Sequence, residues 1–228
     1  MKVLIAEDDD LIREGLAEVF RSEGYQTCEA RDGQDALALY ERESPDFVCL
    51  DIMMPEMNGY DVCREIRRMK SDIPVIFISA KSEEIDKVLG LELGADDFIM
   101  KPFGVREVVA RIRAVTRRYM ASRDPKGHLK SFRMDDLEVF PGELRARRED
   151  HVIELSLRDV TILQTLYHRK GEAVSRDVLF DECWGQEYMP NSRTLDQHIS
   201  QLRKRIEADP KNPQIILTVH GVGYRYEG

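Results

Sequence analysis

Short apolar runs and amphipathic stretches alternate through the first half of the chain, and this alternation constrains the fold more than any other feature. The apolar runs are VLIA, QTCEA, FVCL, PVIFIS and DFIM, at residues 3–6, 26–30, 47–50, 74–79 and 97–100. Between and after these runs, apolar residues recur at the three- and four-residue spacing of a helix. Five such βα units predict an α/β fold, a doubly wound five-stranded parallel sheet with helices on both faces.

Length and composition are those of two ordinary domains without a membrane segment. The chain has 228 residues, 42% of them hydrophobic, which suffices for two domains of roughly 100 to 150 residues. No stretch approaches the roughly 20 apolar residues of a membrane span, and the N-terminus lacks the pattern of a signal peptide. We therefore expect a soluble, cytoplasmic protein with no membrane contact. The four cysteines form no CxxC pair, which favours buried apolar thiols over zinc ligands, disulfides or redox sensors.

Functional groups in a parallel sheet of this kind gather beyond the carboxyl ends of the strands. Those ends carry carboxylates, a hydroxyl and an ammonium, at Glu7, Asp8, Asp51, Ser79 and Lys101. Clustered carboxylates repel one another, and a hard divalent cation such as Mg²⁺ relieves that repulsion. We expect direct ligation by Asp8, Asp51 and the backbone carbonyl of Met53, with Glu7 bound through water.

A lysine and a hydroxyl opposite the metal would hold the remaining oxygens of a phosphoryl group. Asp51 would then be a nucleophile whose charge is kept available by the metal and Lys101. The alternative interpretation makes each residue a helix cap or a surface charge. Their convergence at the ends of four strands favours the phosphoryl site.

Residues 1–119 resemble the receiver domain of bacterial two-component response regulators, which has a flavodoxin-like fold. The motifs that carry the resemblance are IAEDD, LDIMMPEMNG, ISA and GADDFIMKPF, with the turn at Gly59. The resemblance implies that Asp51 accepts phosphate from the phosphohistidine of a sensor histidine kinase. It also implies a cis peptide bond between Lys101 and Pro102, and a switch formed by Ser79 and Phe98. Family members often carry threonine and tyrosine at those two switch positions.

Two other readings of the first half fit the sequence less well. A hydrolase of the haloacid dehalogenase kind needs a second carboxylate two residues after its nucleophilic aspartate, and Met53 occupies that place. A nicotinamide-binding domain needs a GxGxxG motif after the first strand, and none is present. The first half is therefore predicted to be a phosphorylated switch rather than an enzyme.

The second half predicts a smaller α+β domain. Residues 120–131 are polar, contain Pro125 and Gly127, and are predicted to be a linker. In the domain at 132–228, short alternating β-like runs precede three helical patterns at 156–170, 175–184 and 192–208. The chain closes with two β-like runs around Gly221 and Gly223, which predict a hairpin.

The third helix of this domain has an apolar stripe and a polar face. The polar face carries Arg193, Gln197, Ser200, Gln201 and Lys204. Amides suit the reading of base edges and cations suit phosphates, although a solvated helix face would look similar. Because this helix is the second of a helix-turn-helix and a hairpin wing follows it, we favour DNA recognition.

The second half resembles the winged helix-turn-helix effector domain of the OmpR/PhoB subfamily, chiefly through RTLDQHISQLRKRIE and VHGVGYRYE. The resemblance implies that double-stranded promoter DNA is bound, with contacts from Arg193, His198, Arg203 and Lys204 to phosphates, from Gln197, Ser200 and Gln201 near bases, and from His220, Tyr224 and Arg225 in the wing. It further implies that residues 185–192 can contact RNA polymerase. Relatives usually have arginine where His220 stands.

In that subfamily two phosphorylated receivers pair through crossed ion pairs on one face, formed by the fourth helix, fifth strand and fifth helix. The matching pairs here are Lys87 with Glu107, Asp97 with Arg111, and Asp96 with Arg118. The resulting hypothesis is a transcription factor that becomes a homodimer when phosphorylated. The competing hypothesis, a phosphate-independent DNA-binding protein with a structural receiver, does not explain the complete acidic pocket. The sequence leaves the stimulus, the kinase and the promoters open.

Overall fold

A computed structural model describes residues 1–69, 72–80, 89–123, 131–184 and 192–228. The chain divides into two compact units between Arg123 and Asp124. Three predicted features fall outside the described residues, namely Lys87, most of the linker and residues 185–191 of the polymerase loop. No helix among the described residues is long and apolar enough to cross a membrane.

The first unit is the predicted five-stranded parallel sheet. Its strands are β1 (Lys2–Ala6), β2 (Gln26–Ala30), β3 (Phe47–Asp51), β4 (Val75–Ser79) and β5 (Asp97–Met100), in the order β2-β1-β3-β4-β5. Its helices are α1 (Asp10–Glu23), α2 (Gly33–Glu43), α3 (Gly59–Arg68) and α4 (Val105–Arg123), and residues 89–92 are also helical. Every residue of the central strands β3 and β4 is buried, as expected for strands covered on both faces.

Local signals explain where the helices begin and end. The Asp9 carboxylate accepts hydrogen bonds from the backbone of Leu11 and Ile12 at 2.9 and 3.0 Å, so it caps the start of α1. Gly24 ends that helix with φ at +98°, a conformation that glycine adopts without steric cost. Helix α4 continues to Arg123, beyond the predicted domain end at 119. The first proline after the start of this helix is Pro125, so no proline interrupts it before Arg123.

The described residues of the second unit form two antiparallel sheets and three α-helices. The first sheet is formed by β6 (Phe132–Met134), β7 (Leu137–Phe140), β8 (Arg145–Arg148) and β9 (His151–Glu154), in chain order. The helices are α5 (Leu157–His168), α6 (Arg176–Trp184) and α7 (Ser192–Ile206). The predicted terminal hairpin is present as β11 (Leu217–Val219) and β12 (Gly223–Arg225).

The sequence reading missed one strand of the second sheet. Strand β10 (Val174–Ser175) pairs with β12, which therefore lies between β10 and β11. Two residues are too short to show the alternating pattern on which a strand is recognised. The wing is consequently anchored to the segment that leads into α6.

Candidate functional site

Three of the residues predicted at the strand ends of the first unit, Glu7, Asp51 and Lys101, contact one another in an acidic pocket. Asp51 is the last residue of β3 and is buried, and Glu7 follows β1 with 1% of its surface exposed. The Lys101 ammonium, just beyond β5, donates to Asp51 Oδ2 at 2.6 Å and to Glu7 Oε1 at 2.7 Å. The lysine thus neutralises part of the charge that the fold concentrates at this edge of the sheet.

The carboxylates fit a divalent cation. Oxygens of Glu7, Asp8 and Asp51 all lie within 4.8 Å of one another, and Asp8 is exposed on the open side of the group. Glu7 Oε2 is buried and lies 2.7 Å from the Lys101 ammonium. One ammonium balances only one of the three carboxylate charges, so a further cation would relieve the repulsion that remains. Hard oxygen donors of this kind are the ligands that Mg²⁺ prefers.

The electrostatics of the pocket show that its charges are incompletely balanced. Burial raises the pKa of Glu7 to about 7, helped by the nearby Asp51 charge and opposed by the Lys101 hydrogen bond. Burial alone would lower the pKa of Lys101, but its hydrogen bonds to Asp51 and Glu7 outweigh burial and raise it. The lysine is therefore held in its charged form beside the acidic group.

The backbone around Asp51 is fixed by its neighbours on both sides. The Met53 N–H donates to Asp51 Oδ1 at 3.0 Å, while the Met53 side chain is exposed. The Gly59 N–H donates to Ile52 O at 3.1 Å, and a Cβ on Gly59 would lie 2.1 Å from the Asp51 carbonyl oxygen. The glycine of the MNG motif is therefore required by close backbone approach.

The predicted switch residues occupy neighbouring strands. Ser79 ends β4 and is fully buried, and its carbonyl accepts from the Lys101 N–H at 2.8 Å. Phe98 on β5 is also buried, with its ring centroid 6.4 Å from that of Phe77. The Lys101–Pro102 peptide bond is cis, as the family resemblance implies.

Sequence reasoning missed Arg13 beneath the pocket. Its guanidinium is buried, donates from Nη1 to the Glu7 carbonyl at 2.8 Å and pairs with Asp10. The signal in the sequence is an arginine one helical turn after the acidic cluster. Arg13 fixes the loop that carries Glu7 and Asp8.

Helix α7 of the second unit presents the predicted polar face. Its apolar stripe is fully buried, comprising Leu195, Ile199, Leu202 and Ile206. The exposed residues are Gln197, Ser200, Gln201 and Lys204, and the backbone of Arg193 lies in the first turn of the helix. The division between buried and exposed positions is the one that the periodicity predicts.

Three residues assigned to DNA by the family resemblance are bonded within the domain. His198 Nε2 lies 2.9 Å from Oδ1 of the buried Asp159. Arg203 donates to Ile216 O at 2.9 Å, and Tyr224 is buried with its hydroxyl donating to Asp196 at 2.6 Å. Direct DNA contact by these groups remains a prediction, and it requires these internal bonds to open or to be shared.

The wing places two further predicted residues at its tip and edge. His220 is exposed next to the turn at Gly221, where φ is +75°. Arg225 on β12 pairs with Glu227. Of the predicted wing residues, His220 is thus the one that the structure leaves open to a partner.

The charges predicted to pair two receivers are engaged within one chain wherever the structure describes them, which leaves out Lys87. Arg111 Nη1 lies 2.9 Å from Asp97 Oδ1, and Arg111 also pairs with Glu107 at 3.1 Å. Arg118 donates to the Asp96 carbonyl at 3.1 Å, while the Asp96 carboxylate accepts from the Val75 N–H. Crossed pairing between two chains would have to exchange some of these contacts.

Known proteins resemble this chain in both units. Residues 3–113 match the response regulator receiver domain, and residues 149–226 match the family described as transcriptional regulatory protein, C terminal. The sensory transduction protein RegX3 of Mycolicibacterium smegmatis is 42% identical across 99% of this chain and 99% of its own length. The alkaline phosphatase synthesis transcriptional regulatory protein SphR of Synechococcus elongatus is 40% identical across 98% of this chain and 90% of its own length. Among solved structures, the response regulator DrrB of Thermotoga maritima, an OmpR/PhoB homolog, is 30% identical over 100% of this chain and 99% of that chain, with a TM-score of 0.47.

An acidic phosphoacceptor-type pocket in a parallel sheet, joined in one chain to a winged helix-turn-helix, defines a response regulator with a DNA-binding output. The chain belongs to the OmpR/PhoB family of response regulators. It is a transcriptional regulator controlled by phosphorylation, and it is not an enzyme.

Proposed function

We propose that Asp51 is the single phosphoacceptor and that Mg²⁺ is its cofactor. Asp8, Asp51 and the Met53 carbonyl would hold the cation directly, and Glu7 would hold it through water. The observation that supports this proposal is the buried Asp51 carboxylate with the Lys101 ammonium at 2.6 Å and two further carboxylates beside it. When bound, the cation would neutralise the carboxylates and bind a phosphoryl oxygen.

The transfer itself follows from the positions of the side chains. An Asp51 oxygen attacks phosphorus of the kinase phosphohistidine, the phosphorus–nitrogen bond breaks, and the electron pair stays with the kinase imidazole. Lys101 then donates to a phosphoryl oxygen in place of the carboxylate oxygen that it now contacts. Ser79, at the end of the adjacent strand, supplies a hydroxyl to another phosphoryl oxygen.

We further propose that phosphorylation favours a homodimer that binds promoter DNA and contacts RNA polymerase. The helical residues 89–92 and α4 leave Leu89, Leu91 and Val105 exposed on the receiver, and α4 also carries Glu107, Arg111 and Arg118. Burial of these side chains in a twofold interface would add apolar area to ion pairs that are worth only about 0 to 1 kcal/mol each at a surface. Two linked effector domains would match two half-sites.

Intact-protein mass measurement after incubation with acetyl phosphate and Mg²⁺ tests the acceptor. Wild type and the control Asp61→Asn, which alters an exposed carboxylate of α3, should each gain one phosphoryl group. Asp51→Asn should gain none. A phosphoryl adduct that persists in Asp51→Asn refutes the assignment, and a wild type that gains none favours a phosphate-independent DNA-binding protein instead.

A further inference from the structure

A surface cavity lies beside the carboxyl-terminal half of α7, on the side where the chain leaves the helix toward the wing. Its volume is about 430 Å³, and it is lined by Ser200, Arg203, Lys204, Asp209, Pro210 and Lys211. Three of the lining residues are cationic and one is anionic. The cavity is therefore a basic recess that adjoins the polar face of the recognition helix.

The two lysines of the recess are available to an anion. Lys204 and Lys211 are both exposed, and among the residues that the structure describes neither forms an ion pair. Six arginines in the described part of this domain pair with carboxylates, including Arg145, Arg147 and Arg176. Two neighbouring unpaired ammonium groups repel each other, and an anion between them relieves that repulsion.

The remaining charged residues shape the recess. The Asp209 carboxylate accepts from the Lys211 N–H at 2.9 Å and from Asn212 Nδ2 at 2.7 Å, so both of its oxygens are used to hold the loop. Those hydrogen bonds lower the pKa of Asp209. The loop held in this way places Lys211 at the same cavity as Ser200 and Lys204 of α7.

Arg203 supplies a fixed cationic wall. Its Nε donates to Ile216 O at 2.9 Å and its Nη2 donates to Thr218 Oγ1 at 2.8 Å, which leaves the Nη1 group without a hydrogen bond within the described residues. Because the guanidinium is already held in place, little side-chain entropy is lost when Nη1 contacts a ligand. An exposed hydroxyl, from Ser200, completes the donors around the recess.

We propose that this recess binds a backbone phosphate of DNA and that Lys211, a residue to which the family resemblance assigns no contact, binds it together with Lys204 and Arg203. The site rests on the DNA-binding function proposed above and extends it to a loop that no helix-face argument reaches. A phosphodiester presents one negative charge and two free oxygens, which suit an open recess with several donors. The duplex is favoured over free phosphate because Ser200 and Lys204 continue the exposed face of Gln197 and Gln201.

Fluorescence anisotropy tests the site across a range of KCl concentrations, with the full chain phosphorylated beforehand by acetyl phosphate and Mg²⁺ and a mixed-sequence duplex of roughly 20 base pairs, long enough to span two half-sites. Lys211→Gln keeps the side-chain stem and the backbone N–H that Asp209 holds. We expect its Kd to rise about 3- to 10-fold and the slope of log K against log[KCl] to lose about 0.9, the contribution of one phosphate. Lys170→Gln, an exposed lysine after α5, is the control and should match wild type.

The same measurements separate the possible failures. A wild type that binds duplex while Lys211→Gln keeps the wild-type slope overturns the phosphate site alone. A wild type that binds no duplex refutes the DNA interface and this site with it. Calorimetric titration with inorganic phosphate tests whether the recess binds a free anion instead. If wild type binds phosphate saturably and Lys211→Gln does not, while both bind DNA with equal affinity, the recess is a site for a free anion and the proposal is overturned. A loss that is equal on several duplexes of unrelated sequence supports a backbone contact.

Discussion

The buried Asp159 carboxylate is predicted to stabilise the effector domain more than any surface charge does. Asp159 is fully buried in the first turn of α5, where it forms a capping box with Ser156 and accepts from the Ser156 N–H at 2.7 Å. The same carboxylate contacts two residues of α7, with His198 Nε2 at 2.9 Å and Arg205 Nη2 at 2.8 Å. It therefore joins the start of α5 to the recognition helix.

Asp159→Asn keeps the shape of the side chain and removes its charge. Breaking one partner of a buried charged pair costs about 3 to 5 kcal/mol, because the other partner is left unpaired. The Arg205 side chain is 35% exposed and regains part of its hydration, so we expect a loss of about 2 to 4 kcal/mol in the free energy of unfolding. With a urea m-value of about 2 kcal/mol/M, the midpoint should fall by about 1 to 2 M.

Fluorescence of Trp184 is the appropriate assay because it is the single tryptophan of the chain and reports on the effector domain. The Trp184 ring lies 5.8 Å from His198 and carries the Arg158 guanidinium over its face. Glu138→Gln is the control, since it breaks a surface ion pair with Arg147 in the same domain, whose side chain is 54% exposed, and should change stability by about 0.5 kcal/mol or less. An equal midpoint shift in the two variants would refute the reasoning.

The pH dependence provides an independent check. Burial would raise the pKa of Asp159, but the His198 hydrogen bond and the Arg205 charge outweigh burial and lower it. A carboxyl whose folded-state pKa is lowered contributes stability above its unfolded pKa of about 3.9 and loses it as pH falls toward the folded value. The stability gap between wild type and Asp159→Asn should therefore be constant near neutral pH and should narrow below about pH 4.

Three further predictions concern the receiver. Asp97→Arg should weaken phosphate-dependent dimerisation in analytical ultracentrifugation, and adding Arg111→Asp should restore part of it; a double variant no better than either single one argues against this pairing. The acyl phosphate should decay slowly, over minutes or longer, because the exposed Met53 thioether cannot orient water as an amide or carboxylate would; decay within seconds, followed by intact mass, would contradict this. Gly59→Ala should slow phosphorylation by acetyl phosphate at least several-fold, because its Cβ would displace the Asp51 carbonyl; a wild-type rate would mean that the backbone yields without moving the carboxylate.

The acidic pocket could be predicted from the sequence because its placement depends on topology alone. Once five βα units are recognised, Glu7, Asp51 and Lys101 must follow strands whose carboxyl ends share one edge. The structure brings these residues to within hydrogen-bonding distance. No knowledge of side-chain packing was needed to group them.

The internal bonds of the DNA-binding domain could not be predicted in the same way. Periodicity separates the buried from the exposed face of α7 but does not show which polar side chains at the border turn inward. His198 and Arg203 turn inward because Asp159 and the Ile216 carbonyl lie opposite them. Those partners are 39 and 13 residues away in the chain, so only the tertiary fold identifies them.

The two buried aspartate sites of the protein show opposite electrostatic balance, and the difference fits their roles. In the receiver, burial raises the pKa of Glu7 to about 7, and among the described residues the Lys101 ammonium is shared by Glu7 and Asp51, with Asp8 close by. Such a site gains free energy when a cation and a phosphoryl group arrive, because they supply the missing compensation. In the effector domain, Asp159 is surrounded by donors that lower its pKa, so no ligand is needed to stabilise it. An undercompensated site can respond to phosphorylation, whereas a fully compensated one holds the recognition helix in a single orientation.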